Sequence, residues 1–145
     1  MKPLNILLAD DDMDDCNFFK NALAALHIKT QLTTVNDGEQ LMNYLSEQDA
    51  DLPDVLFLDL NMPRKNGFEC LTAMKEHVVL RNLPVVVLST LSAKDKIDKI
   101  FKIGGHVYVH KPSDFGQLKQ VIQNALPIAL DHIFSKSPLK YILNA

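Results

Sequence analysis

The sequence predicts an α/β fold in which a doubly wound parallel sheet is covered by helices on both faces. Three observations predict it. Strand-like runs recur along the 145 residues, at Leu4 to Ala9, Lys29 to Val35, Asp54 to Leu58, Pro84 to Leu88 and His106 to His110. All but the second are nearly wholly apolar, as strands buried on both faces require. Between the runs lie segments with apolar residues at helical spacing, and that alternation argues for βαβ units with right-handed crossovers.

Each intervening segment has its own signals. Phe18, Phe19, Ala22, Leu23 and Leu26 form the stripe of a first helix. The turn signal Asn36-Asp37-Gly38 opens a second, from Gly38 to Ser46, with Leu41, Met42, Tyr44 and Leu45 on one side and Asp37 as its cap. A third follows Gly67 with Phe68, Leu71, Met74 and Val78. Ser92 is placed to cap a fourth that carries Ile97, Ile100 and Phe101 and stops at Gly104-Gly105, a pair suited to a left-handed C-cap. The fifth begins near Ser113 or Asp114 and runs through Leu118, Val121, Ile122 and Ala125. Residues 1–126 thus make one domain. Residues 127–145 form an amphipathic extension, where Pro127 suits the first turn of a new helix or a kink in the fifth. The extension is expected to pack back on its own domain, with no output domain following.

Composition narrows the function. A chain of this length can bury a core without staples, and 47 % hydrophobic with 23 % charged residues is ordinary for a globular domain. A formal charge of -3 leaves no electrostatic footprint for nucleic acid. The amino terminus passes straight into the first strand, so no signal peptide is expected, and no apolar stretch is long enough to span a bilayer. Cys16 and Cys70 lack CxxC spacing and are expected to be buried thiols in a reducing cytoplasm.

The chemistry collects at the strand ends. Asp10 and Asp11 follow the first run, Asp59 the third, Ser89 the fourth and Lys111 the fifth. In an open parallel sheet the crevice outside the carboxyl ends of the strands is the ligand site, so these residues converge by topology. Alone, Asp10-Asp11-Asp12 could be a solvated turn and Lys111 a surface lysine. Together, the carboxylates would repel one another, a cost that a divalent cation relieves. Mg²⁺, a hard ion that takes carboxylate, water and phosphate oxygens, suits them. Lys111 can pair with Asp59 and then with a phosphate oxygen, and Pro112 restricts its backbone to extended conformations. Asp14 and Asp15 are expected instead at the positive end of the first helix.

On these motifs the chain resembles the response-regulator receiver domains of two-component signalling, over about residues 4–126. They are Asp10-Asp11, Leu58-Asp59-Leu60-Asn61-Met62-Pro63 with Gly67, Ser89-Thr90, and Lys111-Pro112. Within the family it is most similar to stand-alone receivers of the cyanobacterial phytochrome-regulator type, through Pro63-Arg64-Lys65-Asn66-Gly67, the run from Leu83 to Thr90, and Lys111-Pro112-Ser113-Asp114-Phe115. The resemblance implies a flavodoxin-like (βα)5 sheet with strand order 2-1-3-4-5. It implies that Asp59 accepts a phosphoryl group from a sensor histidine kinase or phosphotransfer protein. Asp11, Asp59 and the carbonyl of Asn61 would bind Mg²⁺ directly, and Asp10 through water. Ser89 and Lys111 would hold the phosphoryl oxygens.

The resemblance also places a switch aromatic at Tyr108, which turns inward as Ser89 moves. The output surface would then be the fourth helix, fifth strand and fifth helix, with Lys94, Asp95, Lys96, Lys99 and Lys102 exposed. A downstream target protein is implied, and homodimerisation is plausible for this subgroup. Leu91 and Asn61 occupy positions that tune dephosphorylation, and an apolar Leu91 cannot orient an attacking water, so a long phosphoryl lifetime is expected. His106 and His110 read as structural or surface residues. The competing reading is a pseudo-receiver that keeps the fold for protein contacts without phosphorylation, against which the full set Asp10, Asp11, Asp59, Ser89 and Lys111 stands. An aspartate-nucleophile phosphatase would carry a second Asp two residues after Asp59, where this chain has Asn61. A dinucleotide-binding domain would place glycines, not three aspartates, after the first strand.

Overall fold

The computed structural model describes residues 3–47, 52–90, 94–105, 107–131 and 141–143. Its elements, in chain order, are β1 (Leu4–Ala9), α1 (Met13–Ala24), β2 (Thr30–Val35), α2 (Gly38–Glu47), β3 (Val55–Asp59) and α3 (Gly67–Glu76). A 3-10 turn at Leu80–Asn82 then leads to β4 (Val85–Ser89), α4 (Lys94–Lys102), β5 (Val107–His110), α5 (Phe115–Asp131) and β6 (Tyr141–Leu143). Every adjacent pair of strands is parallel, and the order is β2-β1-β3-β4-β5-β6. The expected order 2-1-3-4-5 holds, with β2 at one edge, and β6 adds a strand beyond β5.

Alternation along the strands divides the interior in two. Ile6, Leu8, Val55, Phe57, Val86, Leu88, Val107 and Val109 face α1 and α5, where Phe19 meets Phe57 edge-on with ring centroids 4.9 Å apart. Leu7, Ala9, Leu56, Leu58, Val85, Val87 and Tyr108 face α2, α3 and α4. Both faces being covered explains why β3 and β4 are buried along their whole length.

Capping sets most helix starts. α1 begins ahead of its apolar stripe because the Asp12 carboxylate accepts from the amides of Asp14 and Asp15, at 2.8 and 3.1 Å. Asp37 does the same for α2 by accepting from Gln40 N at 2.7 Å, and Asp114 for α5 by accepting from Gln117 N at 3.0 Å. α3 starts with a capping box between Asn66 and Glu69. Gly104 takes a φ of 114° after α4, as the C-cap expectation requires. Ser92, expected to cap α4, lies outside the described residues, as does His106, expected to open the fifth strand.

Two expectations need correction. Val78 does not extend the stripe of α3, which ends at Glu76 and leaves Val78 70 % exposed. The boundary placed at Leu126 falls inside α5, which continues through Pro127 to Asp131. Proline removes the amide that would bond the carbonyl four residues back. Here Pro127 and Gln123 are both exposed, so water can meet that carbonyl, while Ala125, Leu126 and Ala129 stay buried on the inner side.

Candidate functional site: an acidic crevice at the strand ends

Strand order brings the carboxyl ends of β1 and β3 side by side at the point where the chain changes its direction of winding across the sheet. Register then aligns the ends, pairing Ala9 with Leu58 and Ser89 with His110. Asp10, Asp59 and Lys111 share the parity of residues that face α1 and α5. Ser89 shares that of Val85 and Val87, which face α2, α3 and α4 together with Tyr108. The strand-end residues therefore split into an ionic group on one face and a hydroxyl pair on the other.

Carboxylate oxygens of Asp10, Asp11 and Asp59 lie within 4.8 Å of one another, with Asp10 and Asp59 buried and Asp11 exposed. Burial pushes the Asp59 carboxyl up from 3.8 to about 6, reinforced by the charges of Asp10 and Asp11 and opposed by Lys111 and by the Asn61 amide. That amide donates to Asp59 Oδ1 at 3.3 Å. Three crowded oxygen donors, one of them resisting ionisation, make a donor set that fits a hard divalent cation.

Lys111 completes the group. Its ammonium lies 2.7 Å from Asp15 Oδ2, 2.9 Å from Asp10 Oδ2 and 3.9 Å from Asp59 Oδ2. Burial alone would lower its pKa, but the hydrogen bonds to Asp15 and Asp10 and the charge of Asp59 outweigh it and raise the net value. The expected Lys111–Asp59 pair is present at the longest of these distances. Asp15 is the residue that the sequence reading missed: besides lying at the positive end of α1, it reaches the lysine. The available signal was its place one turn into the helix that begins at the acidic strand end.

On the other parity, Ser89 is 1 % exposed and its carbonyl accepts from Lys111 N at 2.8 Å and from the Tyr108 hydroxyl at 3.3 Å. Tyr108 is inward and buried, and burial raises its pKa. Thr90 and His110 are exposed at the rim, and Leu91 lies outside the described residues. The loop from β3 to α3 closes over Asp59 through Gly67, whose amide donates to Leu60 O at 3.0 Å. A Cβ on Gly67 would stand 2.7 Å from Leu60 Cα and 2.8 Å from the carbonyl oxygen of Asp59, so only glycine fits that approach.

The chain matches the family model described as the response regulator receiver domain over residues 6–123. It is 30 % identical over 125 residues to the response regulator Rcp1 of Synechocystis, an alignment covering 83 % of this chain and 85 % of that protein. Among solved structures, it is similar to the phosphorylated cyanobacterial phytochrome response regulator RcpA, with a TM-score of 0.79, 31 % identity, and 94 % and 97 % of the two chains covered. The Mn²⁺-bound form of Rcp1 gives a TM-score of 0.76 at 26 % identity, over 93 % of this chain and 96 % of that one.

Proposed function

The chain belongs to the response regulator receiver family, and on that premise we propose that Asp59 accepts a phosphoryl group from the phosphohistidine of a sensor histidine kinase or phosphotransfer protein. The observation that carries this reading is the convergence of Asp10, Asp11 and Asp59 within one crevice, with Lys111 bridging its rim. A carboxylate oxygen of Asp59 attacks phosphorus, the bond to the imidazole nitrogen breaks, and the imidazole leaves with the bonding electrons. The product is an acyl phosphate on Asp59. Receiver chemistry of this kind is positioning and charge neutralisation around a covalent capture.

Asp10, Asp11 and Asp59, with the carbonyl of Asn61, would hold Mg²⁺, which supplies charge neutralisation for the phosphoryl oxygens. Lys111 holds a phosphoryl oxygen on the rim facing α1, and the Ser89 hydroxyl donates to another from the opposite parity. The phosphoryl group adds about two negative charges. It draws Ser89 and Lys111 toward Asp59, and because the Ser89 carbonyl accepts from Tyr108, that movement changes what the tyrosine hydroxyl can bond. The face formed by α4, β5 and α5 then passes the change to a downstream target protein or a second copy. Such a population shift extends only as far as the phosphoryl group's differential affinity for the two states. The protein acts as a signalling phosphoacceptor in the cytoplasm, with no substrate turnover of its own beyond phosphorylation and hydrolysis at Asp59.

Incubation with acetyl phosphate and Mg²⁺, followed by intact mass, tests this. Wild type gains one phosphoryl mass, and the gain disappears with a chelator or in Asp59→Ala. An unmodified wild type, as the pseudo-receiver reading requires, would sink the proposal.

A further inference from the structure

We propose that Asp15 is a positioning residue that parks the Lys111 ammonium on the α1 side of the crevice, so that a phosphoryl group on Asp59 must win the lysine in competition with it. This rests on the phosphoacceptor reading of Asp59. The lysine hydrogen-bonds to Asp15 at 2.7 Å and to Asp10 at 2.9 Å, but stands 3.9 Å from Asp59, beyond hydrogen-bonding range. Asp10 belongs to the group of carboxylates that converge within 4.8 Å, and a cation there would draw its charge away from Lys111. Asp15 stands outside that group, so its hold on the lysine persists when the cation site is filled.

Both ends of the Asp15–Lys111 pair are anchored. The Asp15 amide is accepted by the Asp12 carboxylate at 3.1 Å, and the Lys111 amide is accepted by Ser89 O at 2.8 Å. Asp15 and Lys111 line one narrow cleft with Leu8, Phe18, Leu88 and Leu118, between α1 and α5. The cleft partly shields the pair from solvent, with side chains 40 % and 19 % exposed. An ammonium offers three donors, but they diverge, and of the two in use the shorter, to Asp15, holds it on the α1 side while the other reaches Asp10 after β1. The doubly charged phosphoryl group outbids a single carboxylate, and the carboxylate sets how much of its attraction is spent on recruiting the lysine.

Asp14 provides the control. It is exposed on the same turn, with no ion pair to Lys111 among the described residues, so Asp14→Asn removes an equal charge without touching the pair. Beryllofluoride, a phosphoryl mimic, would be titrated calorimetrically at saturating Mg²⁺ into wild type, Asp14→Asn, Asp15→Asn and Asp15→Glu. Asp15→Asn is expected to bind about three- to fivefold tighter than Asp14→Asn, the size of a partly exposed ion pair. Asp15→Glu returns to the wild-type value, and in a Lys111→Ala background the difference between the two Asn variants vanishes. Asp15→Asn binding equal to or weaker than Asp14→Asn, beside a wild type that binds, overturns the parking role and leaves the phosphoacceptor reading standing. A wild type that fails to bind removes both.

Discussion

Asp59 carries the opposing demands of the site. Its pKa of about 6, against an ordinary 3.8, means that the folded protein binds this proton more tightly than the unfolded chain does. A raised carboxyl favours folding fully below the unfolded value and loses that contribution as pH climbs through the folded one. In the metal-free protein, Asp59 therefore weakens stability between about pH 4 and about pH 6, by the linkage of proton binding to folding. Asp59→Asn, which cannot ionise, is expected to unfold at higher denaturant than wild type near neutral pH, with the gap closing as pH falls. Added Mg²⁺ is expected to narrow the neutral-pH gap by stabilising wild type more. Equal midpoints across the pH range would contradict this. Asp10, Asp11, Asp59, Ser89 and Lys111 were readable in the sequence because each stands at the carboxyl end of a strand-like run. Asp15 was not, because its reach toward Lys111 depends on how the first turn of α1 is set by Asp12 and packed against α5.

The β3–α3 connection shows how an element restricts the site. Gly67 sits against the backbone of Leu60 and the carbonyl of Asp59, so Gly67→Ala must push either the loop or the end of β3 that carries Asp59. The expected cost is about 1–3 kcal/mol, the usual range for overpacking. Phosphorylation by acetyl phosphate should slow together with that loss, and a variant of wild-type stability and rate would show that the loop gives way freely. The stripe of α3 through Phe68, Leu71 and Met74 was readable in the sequence, whereas the length of α5 was not. Pro127 reads as a boundary, and only the burial of Ala129 shows why the helix passes it. β6 was unreadable for a different reason. Three residues carry no periodicity, and Tyr141, Ile142 and Leu143 join the sheet only because the β5 edge is there to pair with.

For the molecule as a whole, one sheet separates two cores, and α5 closes one of them. Truncation after Asp131 keeps both clusters of buried residues that flank the sheet and is expected to leave a single cooperative unfolding transition. Truncation after Leu126 removes Ile128 and Ala129 from the core beneath α5 and should cost about 2 kcal/mol or more, as burying fewer apolar side chains does. Denaturant melts of the two truncations, with indistinguishable midpoints, would refute that difference. The fold class and strand order followed from alternation and from family motifs, because a doubly covered parallel sheet leaves its apolar mark on the inner strands, while β2 and β6 lie at its edges. In the proposed function the crevice uses one carboxylate, Asp59, as the phosphoacceptor while Asp10 and Asp11 serve a cation. Its most direct test is borohydride reduction of the acetyl phosphate-treated protein followed by peptide mapping. Homoserine is expected at position 59 with Asp10 and Asp11 unmodified, and homoserine at either of those positions, or at none, would overturn the assignment of Asp59.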